Sequence, residues 1–91
     1  MKILSIIIPV YNTELYVEKC VHSCETQDVD KDEYEIVIVN DGSNDNSLEI
    51  VNRLANDYSN IRIFSQDNSG LSAARNTGMK NAVGDYLMFV D

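Results

Sequence analysis

The chain has 91 residues, of which 44% are apolar, and a formal net charge of −8: room for one modest domain, and too apolar for a disordered segment. The charge opposes unaided binding to nucleic acid, and it admits a diphosphate ligand only with a divalent cation between carboxylate and phosphate. No apolar run approaches the ~18 residues of a membrane-spanning helix.

Met1–Lys2 followed by apolar residues superficially resembles a secretory leader, but Pro9 ends the run and no small-residue cleavage site follows. Ile3–Val10 instead reads as a strand rich in β-branched residues and covered on both faces. Asn12 or Thr13 is placed to cap a helix whose Val17, Cys20, Val21 and Cys24 recur at helical spacing. Both cysteines of the chain lie on this helix. His22 points away from their face, so they read as reduced, largely buried thiols and not as a zinc site, which suits a reducing compartment.

The polar stretch Gln27–Glu33 breaks the pattern, and Ile36–Val39 is a second buried strand. Asn40–Ser47 is a polar turn in which Asp45 or Asn46 can cap a helix carrying Leu48, Val51, Leu54, Ala55 and Tyr58 on one face. Ile61–Phe64 has the character of an edge strand. Ser69 is placed to cap a third helix bearing Leu71, Ala74, Gly78 and Ala82, and Tyr86–Val90 is a fourth strand.

The order βαβαβαβ implies an α/β fold with an open, mostly parallel sheet. Right-handed crossovers and an edge-like third strand favour strand order 3-2-1-4. In such sheets ligands bind beyond the carboxyl ends of the strands at the switch point, here between strands one and four. There the segments Pro9–Asn12, Asn40–Ser43 and Asp91 converge.

Tyr11 can stack on a nucleobase or pack as a staple against the first helix. Asp41 can accept a bond from a base N–H, or serve as a turn former before Gly42. Arg75 shares a helix face with Leu71, Gly78 and Ala82 and is expected to need a strand-end carboxylate or a ligand diphosphate as partner. Gly70 and Gly78 read as turn and packing glycines. The chain has no GxGxxG after strand one and no P-loop, which removes the common dinucleotide and nucleoside-triphosphate readings.

The strings SIIIPVYN, IVIVNDGSNDNS, NSGLSAARNTG and GDYLMFVD, in this order and spacing, resemble the amino-terminal half of the family-two inverting glycosyltransferases of GT-A fold. The likeness covers essentially all of residues 1–91. It implies a single Rossmann-like, nucleotide-sugar-binding domain that stops before the acceptor-binding half. By this resemblance Pro9, Val10 and Tyr11 embrace the nucleobase, Asp41 reads a uracil edge, and Arg75 lies near the diphosphate. Asp91 matches the first acid of a DxD-like motif that holds Mn²⁺ or Mg²⁺.

The implied partners are a nucleotide-diphosphate sugar, with uridine as the expected nucleoside, and a carbohydrate or lipid-linked acceptor. The implied setting is polysaccharide biosynthesis in the cytoplasm, with possible attachment to the inner membrane face through other parts of the protein. Asn40 departs from the Asp common in relatives and is given no binding role. The general base of the family lies beyond Asp91, so no catalytic residue is assigned. Two other classes compete. One is a non-catalytic nucleotide-binding or assembly module, with self-association through uncovered apolar surface. The other is a phosphoacceptor signalling domain, disfavoured because Tyr11–Asn12 stand where an acidic pair is needed and no lysine follows Lys80.

Overall fold

A computed structural model describes residues 2–26 and 30–90 of the chain. Within them the elements are β1 (Leu4–Val10), α1 (Val17–Glu25), β2 (Tyr34–Asp41), α2 (Ser47–Asp57), β3 (Ile61–Gln66), α3 (Leu71–Asn81) and β4 (Tyr86–Phe89). All pairings are parallel and the strand order is β3-β2-β1-β4. The expected α/β architecture and strand order are therefore those observed. The proposed loop residues Gln27, Asp28 and Val29, the opening Met1, and Asp91 lie outside the described residues.

The alternation of strand side chains explains how two layers form around one sheet. Ile6, Ile8 and Val10 of β1 and Tyr34, Ile36 and Ile38 of β2 pack with Val17, Val21 and Cys24 of α1 and Val51 and Leu54 of α2. The opposite faces of the same strands, Ile7, Val37 and Val39, meet Ala74 of α3. Each fully buried aliphatic side chain contributes about 1.5–3 kcal/mol. The α3 side is thin because small residues face the sheet. A Cβ on Gly78 would run into the Ile7 side chain, so only glycine lets α3 settle this close.

Two buried carboxylates complete the α3 side, and both come from β2. Residues 35, 37, 39 and 41 share a strand face, with Glu35 at its amino end and Asp41 at its carboxyl end. Glu35 is 1% exposed. Its Oε1 accepts a bond from Arg62 Nη1 at 2.7 Å, and its Oε2 accepts from Ser5 Oγ at 2.6 Å and from Val83 N at 2.8 Å. Ser5 Oγ in turn accepts from Gly84 N at 2.8 Å. The exit of α3 and the start of β4 are thereby tied to β1, β2 and β3. Burial pushes the Glu35 pKa up, but the bonds from Ser5, Val83 and Arg62 outweigh it and hold the carboxyl below its usual range.

The amino end of the sheet on the α1 side holds another buried acid. Glu25 Oε1 accepts from Tyr34 Oη at 3.0 Å, Asn60 Nδ2 at 3.1 Å and Lys31 Nζ at 3.3 Å.

Helix starts differ from the expected side-chain caps. In α1 the first turn is closed by the Thr13 carbonyl, which accepts from Tyr16 N and Val17 N, and no side chain caps the helix. Asn12 adopts φ 52° and joins two loops: its Oδ1 accepts from Asn44 N at 2.7 Å and its N–H donates to Ser43 Oγ at 3.0 Å. Neither Asp45 nor Asn46 is the expected side-chain cap of α2; Asp45 braces the turn before the helix, through Ser47 N on Oδ1 at 2.9 Å and Glu14 N on Oδ2 at 3.2 Å. The cysteines are free, Cys24 buried and Cys20 half-buried. Burial, with the neighbouring Cys20, pushes the Cys24 thiol up to about 11, so it behaves as an apolar group.

At the β4 edge, Tyr86 is 69% and Phe89 40% exposed. Among the described residues no helix is long and apolar enough to cross a membrane.

Candidate nucleotide site at the carboxyl edge of the sheet

The carboxyl end of β1 and the start of α3 enclose a cleft of about 370 Å³, lined by Pro9, Val10, Tyr11, Asp41, Asn68 and Gly70 among others. Four of the six site residues expected from sequence, Pro9, Val10, Tyr11 and Asp41, are thus brought together. The cleft forms because β1 ends in Pro9–Val10 and α3, packed on β1 and β2, starts near the ends of those strands. Tyr11 is 46% exposed and lines the cleft, so it is not buried as a staple against α1.

Asp41 is 3% exposed, at the last position of β2. Its Oδ1 accepts from Gln66 Nε2 at 3.0 Å and Ser69 N at 2.9 Å; its Oδ2 accepts from Gly70 N at 3.0 Å and Asn68 Nδ2 at 3.2 Å. A carboxylate offers about four acceptor positions, and here the chain's own donors take that number. Burial raises the Asp41 pKa, yet the bonds from Gln66, Ser69 and Gly70 prevail and lower it. Asp41 therefore does the work expected of Ser69. It supplies a negative charge and acceptors at the amino end of α3, where no side chain caps the helix at Gly70.

The glycine after Asp41 has a matching reason. Gly42 adopts φ +71°, and a Cβ there would lie 2.6 Å from Asn68 N, so the β2 and β3 loops touch backbone to backbone. Asn40, on the opposite strand face, accepts from Ser43 N through Oδ1 at 3.4 Å.

Arg75 is half-buried, one residue out of the expected stripe. Ala74 and Gly78 are the buried α3 residues, while Leu71 is 50% exposed. The Arg75 guanidinium sits 5.9 Å from the Phe89 ring centroid, toward the carboxyl end of β4 and beside the cleft, not among its lining residues. Asp91, the proposed metal ligand, lies outside the described residues. Among the described residues no group of three or more His, Cys, Asp or Glu side chains is arranged to hold a metal ion. Asp41 and Asp45, the nearby acids, already have their oxygens on backbone and amide donors. They do not fit a cation.

Gln66 and Asn68 are not singled out by the sequence reading. The signal that could have found them is two carboxamides at and just after the end of an edge strand, opposite Asp41–Gly42. Glu35 and Arg62 offer a similar clue, as unlike charges within adjacent buried or edge strands.

Comparison with known proteins places this geometry. Residues 5–91 match Glycosyl transferase family 2. The chain is 48% identical over 88 residues to "Glycosyltransferase GlyA" of Streptococcus pneumoniae, covering 97% of this chain and 12% of that protein. It superposes on S. aureus TarS 1–349, solved in complex with UDP-GlcNAc, with TM-score 0.91 and 39% identity, covering 100% of this chain and 26% of TarS. It also superposes on the mannosyltransferase PcManGT from Pyrobaculum calidifontis, solved with GDP-Man and Mn²⁺. There the TM-score is 0.86 at 25% identity, over 92% of this chain and 25% of that one. The chain spans between an eighth and about a quarter of the length of these matched chains, the TarS figure being for residues 1–349. With the expected Rossmann-like α/β sheet observed, residues 5–91 matched and TarS superposed along the whole of this chain, the chain belongs to glycosyl transferase family 2.

Proposed function

We propose that this chain is the donor-binding part of a glycosyltransferase that moves a sugar from a uridine diphosphate donor to an acceptor hydroxyl with inversion. The observation that carries the reading is the cleft at the carboxyl edge, with Tyr11 exposed on one side and the amino end of α3 on the other. Tyr11 supplies an aromatic face for the base, with Pro9 and Val10 forming the floor. Asp41 fixes the α3 end of the cleft, and Arg75 approaches the diphosphate from the side of β4.

Asp91 would be among the residues holding a divalent cation, Mn²⁺ or Mg²⁺, which when bound would supply positive charge between an acidic protein and the donor diphosphate. TarS bound to UDP-GlcNAc and PcManGT bound to GDP-Man with Mn²⁺ support this reading by likeness. The general base and the acceptor site belong to other parts of the protein. A carbohydrate or lipid-linked acceptor, polysaccharide biosynthesis and a cytoplasmic location, at the membrane face or away from it, belong to the same proposal. The free cysteines Cys20 and Cys24 fit a reducing compartment.

The test is calorimetric titration of UDP with Mn²⁺ into the full-length protein and into Asp41→Ala and Arg75→Ala variants. Binding by the parent, weakened in both variants, is expected. No binding by the parent, or binding in both variants unchanged from the parent, contradicts the proposal.

A second reading, a non-catalytic module that self-associates, is favoured by one observation: Leu87 and Met88 of β4 are 43% and 44% exposed beside Tyr86 and Phe89. It predicts nucleotide binding without sugar transfer.

A further inference from the structure

β4 is the least supported element of the fold, and its carboxyl end lies beside the cleft. It has four residues, pairs with β1 alone among the described residues, and leaves Tyr86, Leu87, Met88 and Phe89 between 40% and 69% exposed. Such a strand says little about its own register. A shift by two residues, about 6–7 Å along β1, would exchange Tyr86 for Met88 and Leu87 for Phe89, apolar for apolar on the same face. The register has to be fixed from elsewhere.

The fixing point lies at the opposite end of the sheet from the cleft. Three places along the α3–β4 connection are tied there. The Asn81 carbonyl accepts from Arg62 Nη1 at 3.1 Å, Val83 N donates to Glu35 Oε2 at 2.8 Å, and Gly84 N donates to Ser5 Oγ at 2.8 Å. Glu35 joins the three, because its two oxygens also receive Arg62 and Ser5. Glu35 is 1% and Ser5 0% exposed, so water does not stand in for these bonds. Gly84 adds an exclusion. A Cβ there would lie 2.7 Å from Leu4 C and Ser5 N, so neither Ala82 nor Tyr86 can take its place in a two-residue slip. The pairing from Leu4↔Tyr86 to Ile7↔Phe89 is thus set at its amino end. At its carboxyl end stands Phe89, with the Arg75 guanidinium 5.9 Å from its ring centroid.

We propose that Glu35 is a positioning residue for the donor site: with Ser5 and Gly84 it fixes how far β4 runs along β1, and through Phe89 it fixes where Arg75 stands beside the cleft. The inference rests on the donor-binding reading above. Glu35 is not among the residues that line the cleft, and it acts only through β4. Pro9 and Val10 belong to β1, whose register with β2 is set separately along Leu4↔Tyr34 to Val10↔Asn40. Loosening Glu35 therefore disturbs the diphosphate end of the site and spares the base end.

The experiment compares UDP and uridine affinity, with Mn²⁺ present, in the full-length protein and its Glu35→Gln, Gly84→Ala and Glu25→Gln variants. Amide hydrogen exchange of the same proteins is followed without nucleotide. Glu35→Gln keeps the shape of the side chain and sets an NH₂ group against either Arg62 or Val83. Gly84→Ala pushes the start of β4 off Leu4–Ser5. Glu25→Gln loosens the buried acid on the α1 side and controls for lost stability alone. The UDP-to-uridine affinity ratio should fall by about fivefold or more in the first two variants, a part of the roughly tenfold to hundredfold that a hydrogen bond to a charged group carries. Uridine affinity should stay within about twofold throughout, and Glu25→Gln should keep the parent ratio. Exchange in residues 86–90 should quicken relative to residues 36–39 in Glu35→Gln and Gly84→Ala. An unaltered ratio in Glu35→Gln, an equal fall in Glu25→Gln, or exchange that quickens equally in both segments overturns the inference while leaving the donor-binding reading intact. Absence of UDP binding by the parent overturns both.

Discussion

Replacing Asp41 by Asn changes one oxygen to an NH₂ group and tests how the cleft is held. The carboxylate receives two donors on each oxygen, at 2.9 and 3.0 Å on Oδ1 and at 3.0 and 3.2 Å on Oδ2. Whichever way the substituted carboxamide turns, its nitrogen faces two donors. If it faces the Oδ1 partners, Gln66 can swing away, but Ser69 N is backbone and cannot. If it faces the Oδ2 partners, Asn68 can swing away, but Gly70 N cannot. One main-chain N–H at the start of α3 is therefore stranded in either orientation, and the charge that complements the helix end is lost. A stranded donor costs up to about 1–3 kcal/mol, less where water reaches it, as it partly does at Ser69 and Gly70, and charge-assisted bonds exceed neutral ones by about 1 kcal/mol or more. The expected loss is about 2–4 kcal/mol, or roughly 10–20 °C in Tm for a domain of this size. Urea and thermal unfolding followed by circular dichroism read the loss, and hydrogen exchange at Ser69 and Gly70 should accelerate in step. An Asp41→Asn protein within about 0.5 kcal/mol of the parent, with protected Ser69 and Gly70 amides, would refute the reasoning.

Gly78→Ala should destabilise by about 1–3 kcal/mol, because the new methyl meets Ile7 in a face already closed; denaturant midpoints check this. Tyr11→Ala should leave stability within about 0.5 kcal/mol, since the ring is half exposed, and weaken UDP binding by about 1–3 kcal/mol through loss of the stack; unfolding curves and calorimetry separate the two effects. Acid should unfold the protein by a route set in part by Asp41 and Glu35. Both have folded pKa values below their ordinary ones, so their stabilisation is complete above the usual carboxylate range and is lost as pH falls through the folded values. Stability measured against pH should therefore fall less steeply on the acid side in Glu35→Gln than in the parent, from a lower plateau at neutral pH.

Much of the architecture is legible in the sequence because it rests on local pattern. The β-branched density of Ile3–Val10 and Ile36–Val39 announces strands covered on both faces, and the weaker Ile61–Phe64 announces an edge, which favours the observed strand order. The ends of β2 are harder to read, since the strand runs Tyr34–Asp41 and not only Ile36–Val39. Glu35 and Asp41 look like boundary residues on polarity alone. They belong inside because Arg62, Ser5, Gln66 and the α3 backbone, all distant in sequence, satisfy them. The same long-range cause displaces the expected cap from Ser69 to the Asp41 carboxylate, 28 positions earlier in the chain.

At the site, the convergence of Pro9, Val10, Tyr11 and Asp41 follows from topology, which element order reveals. Arg75 lies one residue outside the packed stripe to which helical spacing assigns it. Spacings of three and four leave positions 74 and 75 nearly equivalent, and only the closeness of α3 to Ile7 selects Ala74 and Gly78 for the interior. Asn68 escapes notice for a different reason. An exposed amide in a polar loop has no pattern of its own, and its orientation comes from a carboxylate on another strand.

A crystal structure of the full-length protein with UDP and Mn²⁺ tests the central claim most directly. The account predicts the uracil ring against Tyr11, between Pro9–Val10 and Asn68, with the diphosphate directed toward Arg75 and the end of β4. Density for the nucleotide elsewhere on the protein, with the cleft at the carboxyl edge of the sheet empty, would contradict it.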